Sequence, residues 1–428
     1  MINVLVFPCG SEIGLEVHNA LKYDKHINLY GLSSVPSHAK MVYKKYIEGI
    51  SFITKDSFMQ ELNDVIDKYK INVLIPAYDD VILYLAEKSD LLHCKLATSN
   101  YETCDICRSK KKTYELFYKE DFTPKTYQIN EINEEILPLF AKPDIGQGSQ
   151  GGVKIEKLSD VEKIREVADD YVISEMLPGE EFTIDCYTNA KGEFLVASMR
   201  GRKRIRMGIS VNSVTYDTPD EVMGIAEKIN EQIAFQGVWF FQVKEDKNGH
   251  FKLLEVAPRV AGSMSTSRVR GFNFILNTVY EQMEYEISAV PHLIEKVEED
   301  RAFSNKYRLG IEYDTVYIDF DDTITYKDTV NINTIAFVYQ CLNQGKKLIL
   351  LTRHEMEIYK SLKEYHIDDT IFKEIIHIKD GTNKSNYITE EKAIFIDDSF
   401  RERYDVSEKC KIPVFDNDGI EALIDWRY

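Results

Sequence analysis

The chain has no run approaching the roughly 18 consecutive apolar residues that a membrane span requires. It also shows no charged leader with a cleavage site, since MINVLVFPCG passes directly into a strand-like segment, and a cytoplasmic protein without membrane contact is expected. A disulfide framework is missing too: seven cysteines, an odd number scattered over 428 residues, agree with a reducing compartment. Cys104 and Cys107 form a single CxxC with no second ligand pair at zinc-binding spacing, so they read as a metal knuckle or as chance spacing. Positive charge is scarce. The 53 Lys and Arg stand against 71 Asp and Glu, and the resulting net charge of −18 repels nucleic acid and anionic membrane, leaving small molecules as the expected partners. No internal repeat or low-complexity tract is present.

What the chain does have is length and apolar material, with 428 residues and 44% hydrophobic side chains sufficient for two to four cores. The first hundred residues alternate the β-type runs INVLVF, INLYGL and INVLIPA with amphipathic segments at about 12–22 and 55–69, the βαβ pattern of a parallel sheet. Between the first strand and helix, CGSEIG carries Gly10 and Gly14, which serve turn geometry or an anion at the helix N-terminus. A mixed α and β region follows, from Cys104 to about Tyr285, where Ser159 and Glu162 of SDVEKIREVADDY predict a capped helix start. The acidic IEKVEEDRAFSNKYRLGIEYD reads as a linker or a last helix. From Thr315 the strands VYIDF, KLILLT, AIFIDD and IPVFD alternate with helices, one of them ended by Gly345. The expected chain is α/β and α+β multidomain, divided as 1–103, 104–290, a linker at 291–313, and 314–428.

YIDFDDTITY places Asp319, Asp321 and Asp322 where VYIDF ends. Alone, such a cluster caps a helix or lines a solvated loop. Three further sets stand at strand ends or before a helix: Thr352 closes LILLT, Lys384 opens a helical stretch, and Asp397 with Asp398 closes AIFIDD. In open parallel sheets, ligands bind beyond those carboxyl ends. Phosphoryl transfer accounts for each residue type. A carboxylate nucleophile forms an aspartyl phosphate when cations and hydroxyls offset the charge. Asp319 and Asp397 suit magnesium, Thr352 and Lys384 suit phosphoryl oxygens, and Asp321 suits proton transfer to a leaving group and from water. These residues resemble the four motifs of the haloacid dehalogenase (HAD) superfamily, over about 315–428. The resemblance implies a Rossmann-like phosphatase domain with Asp319 as nucleophile and Asp321 as acid and base. It also implies a metal set of Asp319, Asp321 and Asp397 that takes Mg2+, or Mn2+ in its place. Only about thirty residues separate each of the first motifs from the next, which leaves no room for a large cap.

Upstream, FAKPDIGQGSQGGVKI sets Lys142 ahead of Gly146, Gly148, Ser149, Gly151 and Gly152. Such glycines let backbone amides approach a polyphosphate, with Lys142 as countercharge, or else form a surface hairpin; the spacing is not that of a P-loop. Together with ISEMLPGEEFTIDCY and GVWFFQVKEDKNGHFKLLEVAPR, the loop resembles the ATP-grasp superfamily, in the branch similar to the carbamoyl phosphate synthase large chain. That resemblance covers about 1–290, with a pre-ATP-grasp βαβ domain first. It implies ATP held by Lys110, Lys142 and the loop residues Gly146, Gly148, Ser149 and Gly151. Adenine would lie against Glu175, Met176 and Leu177, ribose on Glu181, metal on Gln242 and Glu255, and the transferred phosphate near Arg259. Lys111 and Lys112 compete with Lys110 for its register.

Where the family pattern reads Glu-x-Asn-x-Arg, this chain reads Glu255-Val256-Ala257-Pro258-Arg259, so a methyl group stands in place of the third metal ligand. Magnesium accepts water in a vacated position. In RGRKRIRM, Arg200, Arg202, Arg204 and Arg206 recur at a spacing of two, which on a strand puts them on one face. That face is solvated beside carboxylates, or lines a cleft for a triphosphate and an anionic substrate with Arg268 and Arg270.

The two resemblances together predict a bifunctional enzyme. An ATP-dependent carboxylate–amine ligase acts through an acyl phosphate, and a capless Mg-dependent phosphatase acts on a related substrate or product. Its expected partners are a small carboxylate and an amine, phosphorylated or not, with no nucleic acid and with a homodimer as one option. In one alternative, the first part is an inactive nucleotide-binding regulatory module; in another, the C-terminal unit is a relic serving dimer contacts.

Overall fold

Runs such as VLVF and VLIP are apolar on both faces, so they belong in the middle of a sheet covered on both sides. A computed structural model of the chain describes residues 1–146, 151–206, 209–288, 296–302 and 304–427. It divides into two compact units, residues 1 to about 303 and Ser304 to Arg427.

The first unit opens with a parallel sheet in the order Lys45–Glu48, Ile27–Ser33, Ile2–Phe7, Val73–Pro76 and Lys95–Leu96. Gly10 and Gly14 serve the turn after Ile2–Phe7. A Cβ on Gly14 would lie 2.5 Å from the Cys9 carbonyl oxygen, and Ser11 Oγ caps helix Glu12–Leu21 by accepting from Gly14 N at 3.0 Å. A six-stranded antiparallel sheet follows, in the order Phe251–Ala257, Gly237–Glu245, Glu181–Thr188, Phe194–Arg206, Ile209–Tyr216 and Glu298–Asp300. Alternate residues of Gly237–Glu245 face opposite ways. Val238 and Phe240 share a core with Val4, Val6, Val17 and Phe274, while Trp239, Phe241 and Val243 enter a second core with Ile225 and Ile229. The first of these cores therefore runs across residue 103. A three-stranded antiparallel sheet, Val153–Ile155, Leu139–Pro143 and Tyr171–Glu175, carries Lys142.

Two local expectations are corrected. SDVEKIREVADDY forms 3-10 segments, Leu158–Lys163 and Arg165–Asp170, and Asp160 takes the start of the first by accepting from Glu156 N and Lys157 N at 3.1 Å. Val161 and Ile164 both enter the local core, and a spacing of three eclipses on a 3-10 turn. The acidic segment forms no helix among its described residues; it holds the short strand Glu298–Asp300 and the division between the two units at about residue 303. The strand's register against Val214, Ser213 and Asn212 satisfies amides that the sheet edge would otherwise expose.

The second unit is a parallel sheet in the order Glu374–His377, Lys347–Thr352, Thr315–Ile318, Ala393–Ile396 and Val414–Phe415. Its central strands are buried on both faces: Val316, Ile318, Leu350 and Ile394 enter one core, and Tyr317, Ile349, Leu351 and Phe395 enter another. The edge strand Glu374–His377 and a short hairpin, Thr325–Tyr326 with Thr329–Val330, were not expected from the sequence. Among the described residues no helix is long and apolar enough to cross a membrane.

Candidate active sites

In the first unit, Lys142 projects from strand Leu139–Pro143, and its ammonium donates to Tyr114 Oη at 2.7 Å and to the Leu254 carbonyl at 2.9 Å. Burial, and then the nearby Lys110 charge, pull its pKa from 10.5 down to about 7. Lys110, at the start of helix Lys110–Leu116, donates to the Asp144 carbonyl at 3.1 Å, whereas Lys111 reaches the Asp169 carbonyl and Lys112 pairs with Asp105 at 2.6 Å. Of the three lysines, Lys110 lines a cavity of about 320 Å³ together with Lys142, Glu175, Met176, Leu177, Glu181, Gln242, Glu255 and Gly146. Gly148 and Ser149 lie outside the described residues. Gly151 sits at φ +76, and a Cβ there would meet the Pro143 ring at 2.9 Å, so the loop requires glycine at that point.

Gln242 and Glu255 stand directly opposite one another on neighbouring strands, and Ala257 opposes Phe240. Two oxygen donors therefore face the large cavity, while Ala257 lines a smaller space beside it. This smaller cavity, of about 60 Å³, shares Lys110, Gly146 and Glu255 with the larger one and is walled by Asp79, Arg108 and Arg259. Arg259 forms a two-point pair with Asp79, its Nη2 lying 3.1 Å from Oδ2, and its guanidinium stacks 5.0 Å from the Phe240 ring. It lines this second space but not the large one.

The arginine run splits by depth. Arg200 is almost wholly buried, with Nε 2.9 Å from Asp185 Oδ2 and Nη1 2.7 Å from Ser263 Oγ. A pair sealed this way is structural, because removing one partner strands the other charge at a cost of about 3–5 kcal/mol. Arg202 pairs with Glu181 and lines the large cavity, and Arg204 pairs with Asp300 at the surface. The Arg206 side chain lies outside the described residues. Arg268 pairs with Glu16 at 2.7 Å, and Arg270 is buried with Nη1 3.3 Å from Ser198 Oγ. Carboxylates thus meet most of the described arginines, and one arginine of the run reaches the cleft. Cys104 and Cys107 are buried; burial pushes the Cys104 thiol up to about 11, so neither presents a metal-ready thiolate.

In the second unit the parallel register gathers the expected residues at one sheet edge. Ile318 pairs with both Ile396 and Leu350, so Asp319 and Asp397 leave their strands together and Thr352 ends the neighbouring strand one register further on. Lys384, at the start of the 3-10 turn Lys384–Tyr387, lies 2.7 Å from Asp319 Oδ1 and 2.6 Å from Asp397 Oδ2, and all of these side chains are buried. Burial, and then the neighbouring Asp319 charge, push Asp397 up to about 7, and burial also raises Asp319. Lys384 is raised despite its burial, by the two carboxylates. Oxygens of Asp319, Asp397 and Asp398 come within 4.8 Å of one another, with Asp398 exposed at the mouth. Two buried carboxylates crowded on one ammonium, with Asp398 beside them, fit a divalent cation, which prefers carboxylate oxygens and retains water. The third carboxylate beside Asp319 and Asp397 is Asp398. Asp321 points instead to His354, with Nδ1 at 2.9 and 3.0 Å from its two oxygens, and borders a cavity of about 510 Å³. His354 was not singled out from the sequence. Its position two residues past Thr352, at a strand's carboxyl end, was the available signal.

These observations define a protein with two sites of opposite electrostatic character, the first in an ATP-grasp-like fold. Residues 168–300 match the family model described as ATP-grasp in the biosynthetic pathway with Ter operon. Solved structures of similar fold include biotin carboxylase from Campylobacter jejuni in complex with β-γ-ATP, at TM-score 0.56 and 14% identity, covering 67% of this chain and 72% of that one. L-amino acid ligase from Bacillus licheniformis is similar at TM-score 0.54 and 14% identity, covering 66% and 74%. The ADP complex of N5-carboxyaminoimidazole synthetase from Staphylococcus aureus is similar at TM-score 0.54 and 14% identity, covering 68% and 80%. A sequence search of curated proteins gives no match.

Proposed function

We propose that the chain is a bifunctional cytoplasmic enzyme: an ATP-dependent carboxylate–amine ligase joined to a Mg-dependent phosphatase of the HAD type. The ligase reading is carried by the 320 Å³ cavity, whose buried Lys142 is short of countercharge in the way a polyphosphate would relieve. Lys142 and Lys110 hold the phosphate charge of ATP, and the Glu175–Leu177 segment takes adenine. Glu255 and Gln242 would hold Mg2+, which shields the phosphates when bound. An oxygen of the substrate carboxylate attacks the terminal phosphorus, ADP leaves, and an amine then displaces phosphate from the acyl phosphate. Arg259, released from Asp79, would face the smaller cavity where the carboxylate enters.

The phosphatase reading is supported by Lys384 lying between Asp319 and Asp397, with Thr352 at the same edge. Asp319, Asp397 and Asp398 would hold Mg2+, whose charge offsets that of the phosphate. An Asp319 oxygen bonds to phosphorus while the ester P–O bond breaks, and the Asp321 carboxyl gives its proton to the departing oxygen. Asp321 then takes a proton from water as the water oxygen attacks phosphorus, and the aspartyl P–O bond breaks to restore Asp319. The substrates proposed are a small carboxylate and amine, one of them phosphorylated, and the assembly proposed is a homodimer.

Phosphate release from ATP by the Asp319→Asn protein with Mg2+, across pools of carboxylates and amines that include phosphorylated amines, tests the ligase. Stimulation by one pair is expected. A flat response across broad pools would leave a nucleotide-binding module without ligase activity, the reading that Ala257 favours.

A further inference from the structure

We propose that His354 is a positioning residue that holds Asp321 for proton transfer, an inference resting on the phosphatase reading above. Asp319 and Asp397 share the Lys384 ammonium, but the Asp321 carboxylate is half-exposed at the edge of the 510 Å³ cavity and takes its hydrogen bond from His354 Nδ1. A carboxylate of that kind has many orientations, and proton transfer needs one. The imidazole is well placed to select it. Its ring is 9% exposed, its Nε2 lies 2.7 Å from Ser361 Oγ, and it meets the Phe320 ring edge-on at 5.0 Å. Its backbone is pinned as well: His354 N donates to Thr352 Oγ1 at 3.2 Å, and the His354 carbonyl lies 2.6 Å from His377 Nε2.

Once Asp321 has given its proton to the leaving group its carboxylate accepts only, and in that state Nδ1 carries the hydrogen and donates to it. With Nδ1 2.9 and 3.0 Å from the two oxygens, the plane of the carboxyl is set relative to a fixed ring. Sequential placement supports the same role, because Thr352 ends its strand and His354 follows two residues later, one for the phosphoryl group and one for the acid beside it.

The test uses the full chain with Mg2+ and two probes, p-nitrophenyl phosphate and glycerol 2-phosphate. The first leaves as a stable phenolate that needs little protonation, and the second leaves as an alkoxide that needs the acid. His354→Ala is expected to lower kcat/KM for glycerol 2-phosphate by about 100-fold and for p-nitrophenyl phosphate by about fivefold. His354→Asn, whose Nδ2 hydrogen replaces that of Nδ1, is expected to recover about tenfold on the alkyl ester. His354→Gln fills the space and reaches toward Ser361 without serving Asp321, and should match Ala. Equal losses on both esters in all three variants, with no recovery by Asn, would make His354 a packing residue only and overturn the inference while leaving the phosphatase intact. No turnover by the unaltered chain, or turnover that survives Asp319→Asn, would overturn the phosphatase reading and this inference with it.

Discussion

The two sites are electrostatic opposites built with the same device. In the first unit Lys110 and Lys142 crowd together, with Lys154, Lys244 and Arg202 on the same wall, and burial holds Lys142 down at about 7. In the second, Asp319, Asp397 and Asp398 crowd one ammonium, and burial holds Asp397 up at about 7. Each site shifts a buried group toward its neutral form, which a ligand of opposite sign would reverse. A polyphosphate would complete the first; a divalent cation and the phosphate it carries would complete the second.

The strongest way to break this comparison is to remove a charge from one side. Asp319→Asn should lower phosphate-ester turnover by roughly three orders of magnitude or more while leaving ATP turnover with carboxylate and amine unchanged, as read by phosphate release in separate assays. On the other side, Lys142→Met should lower ATP-dependent turnover by about 100-fold without lowering the melting temperature, because the ammonium it removes is costly to bury. The pH dependence sharpens the point. The folded pKa of Lys142 lies below its unfolded value of 10.5, so between about 7 and 10.5 the unfolded chain binds the extra proton and stability rises with pH across that window. Bound polyphosphate should draw the proton back, so ATP binding at pH 8 should take up a fraction of a proton. Calorimetry in buffers of different ionisation enthalpy measures it, and Lys142→Met should abolish it.

Metal is the complementary probe. Mg2+ at about 100 times its dissociation constant should stabilise the second unit by about 2.7 kcal/mol, seen as a higher unfolding temperature, and Asp397→Asn should erase that shift. The smallest effect expected is at Ala257. Restoring the amide with Ala257→Asn should lower the Mg2+ concentration for half-maximal ATP turnover by about three- to tenfold, and no change would show that the position faces away from the metal.

Much of this was legible in the sequence. Period-2 and buried-strand patterns, Gly345 after its helix, and the placement of Asp319, Thr352, Lys384 and Asp397 at strand ends all report local geometry, which sequence spacing determines directly. Lys142 ahead of its glycines and Glu255 on its strand are readable for the same reason. Other features follow from residues far apart in the chain. Arg200 and Arg202 are two positions apart on one strand, yet Asp185 seals the first and only the second opens to the cleft; spacing makes them equivalent and packing does not. Glu298–Asp300 became a strand because the edge at Val214 had amides to satisfy, and Val4 joined a core with Phe240 across an expected boundary. The partnership of Asp321 with His354 is of the same kind. Residue types and spacing along each strand were determined by the sequence alone, whereas burial and countercharge, and with them the perturbed Lys142 and Asp397, arise only when distant segments exclude water together.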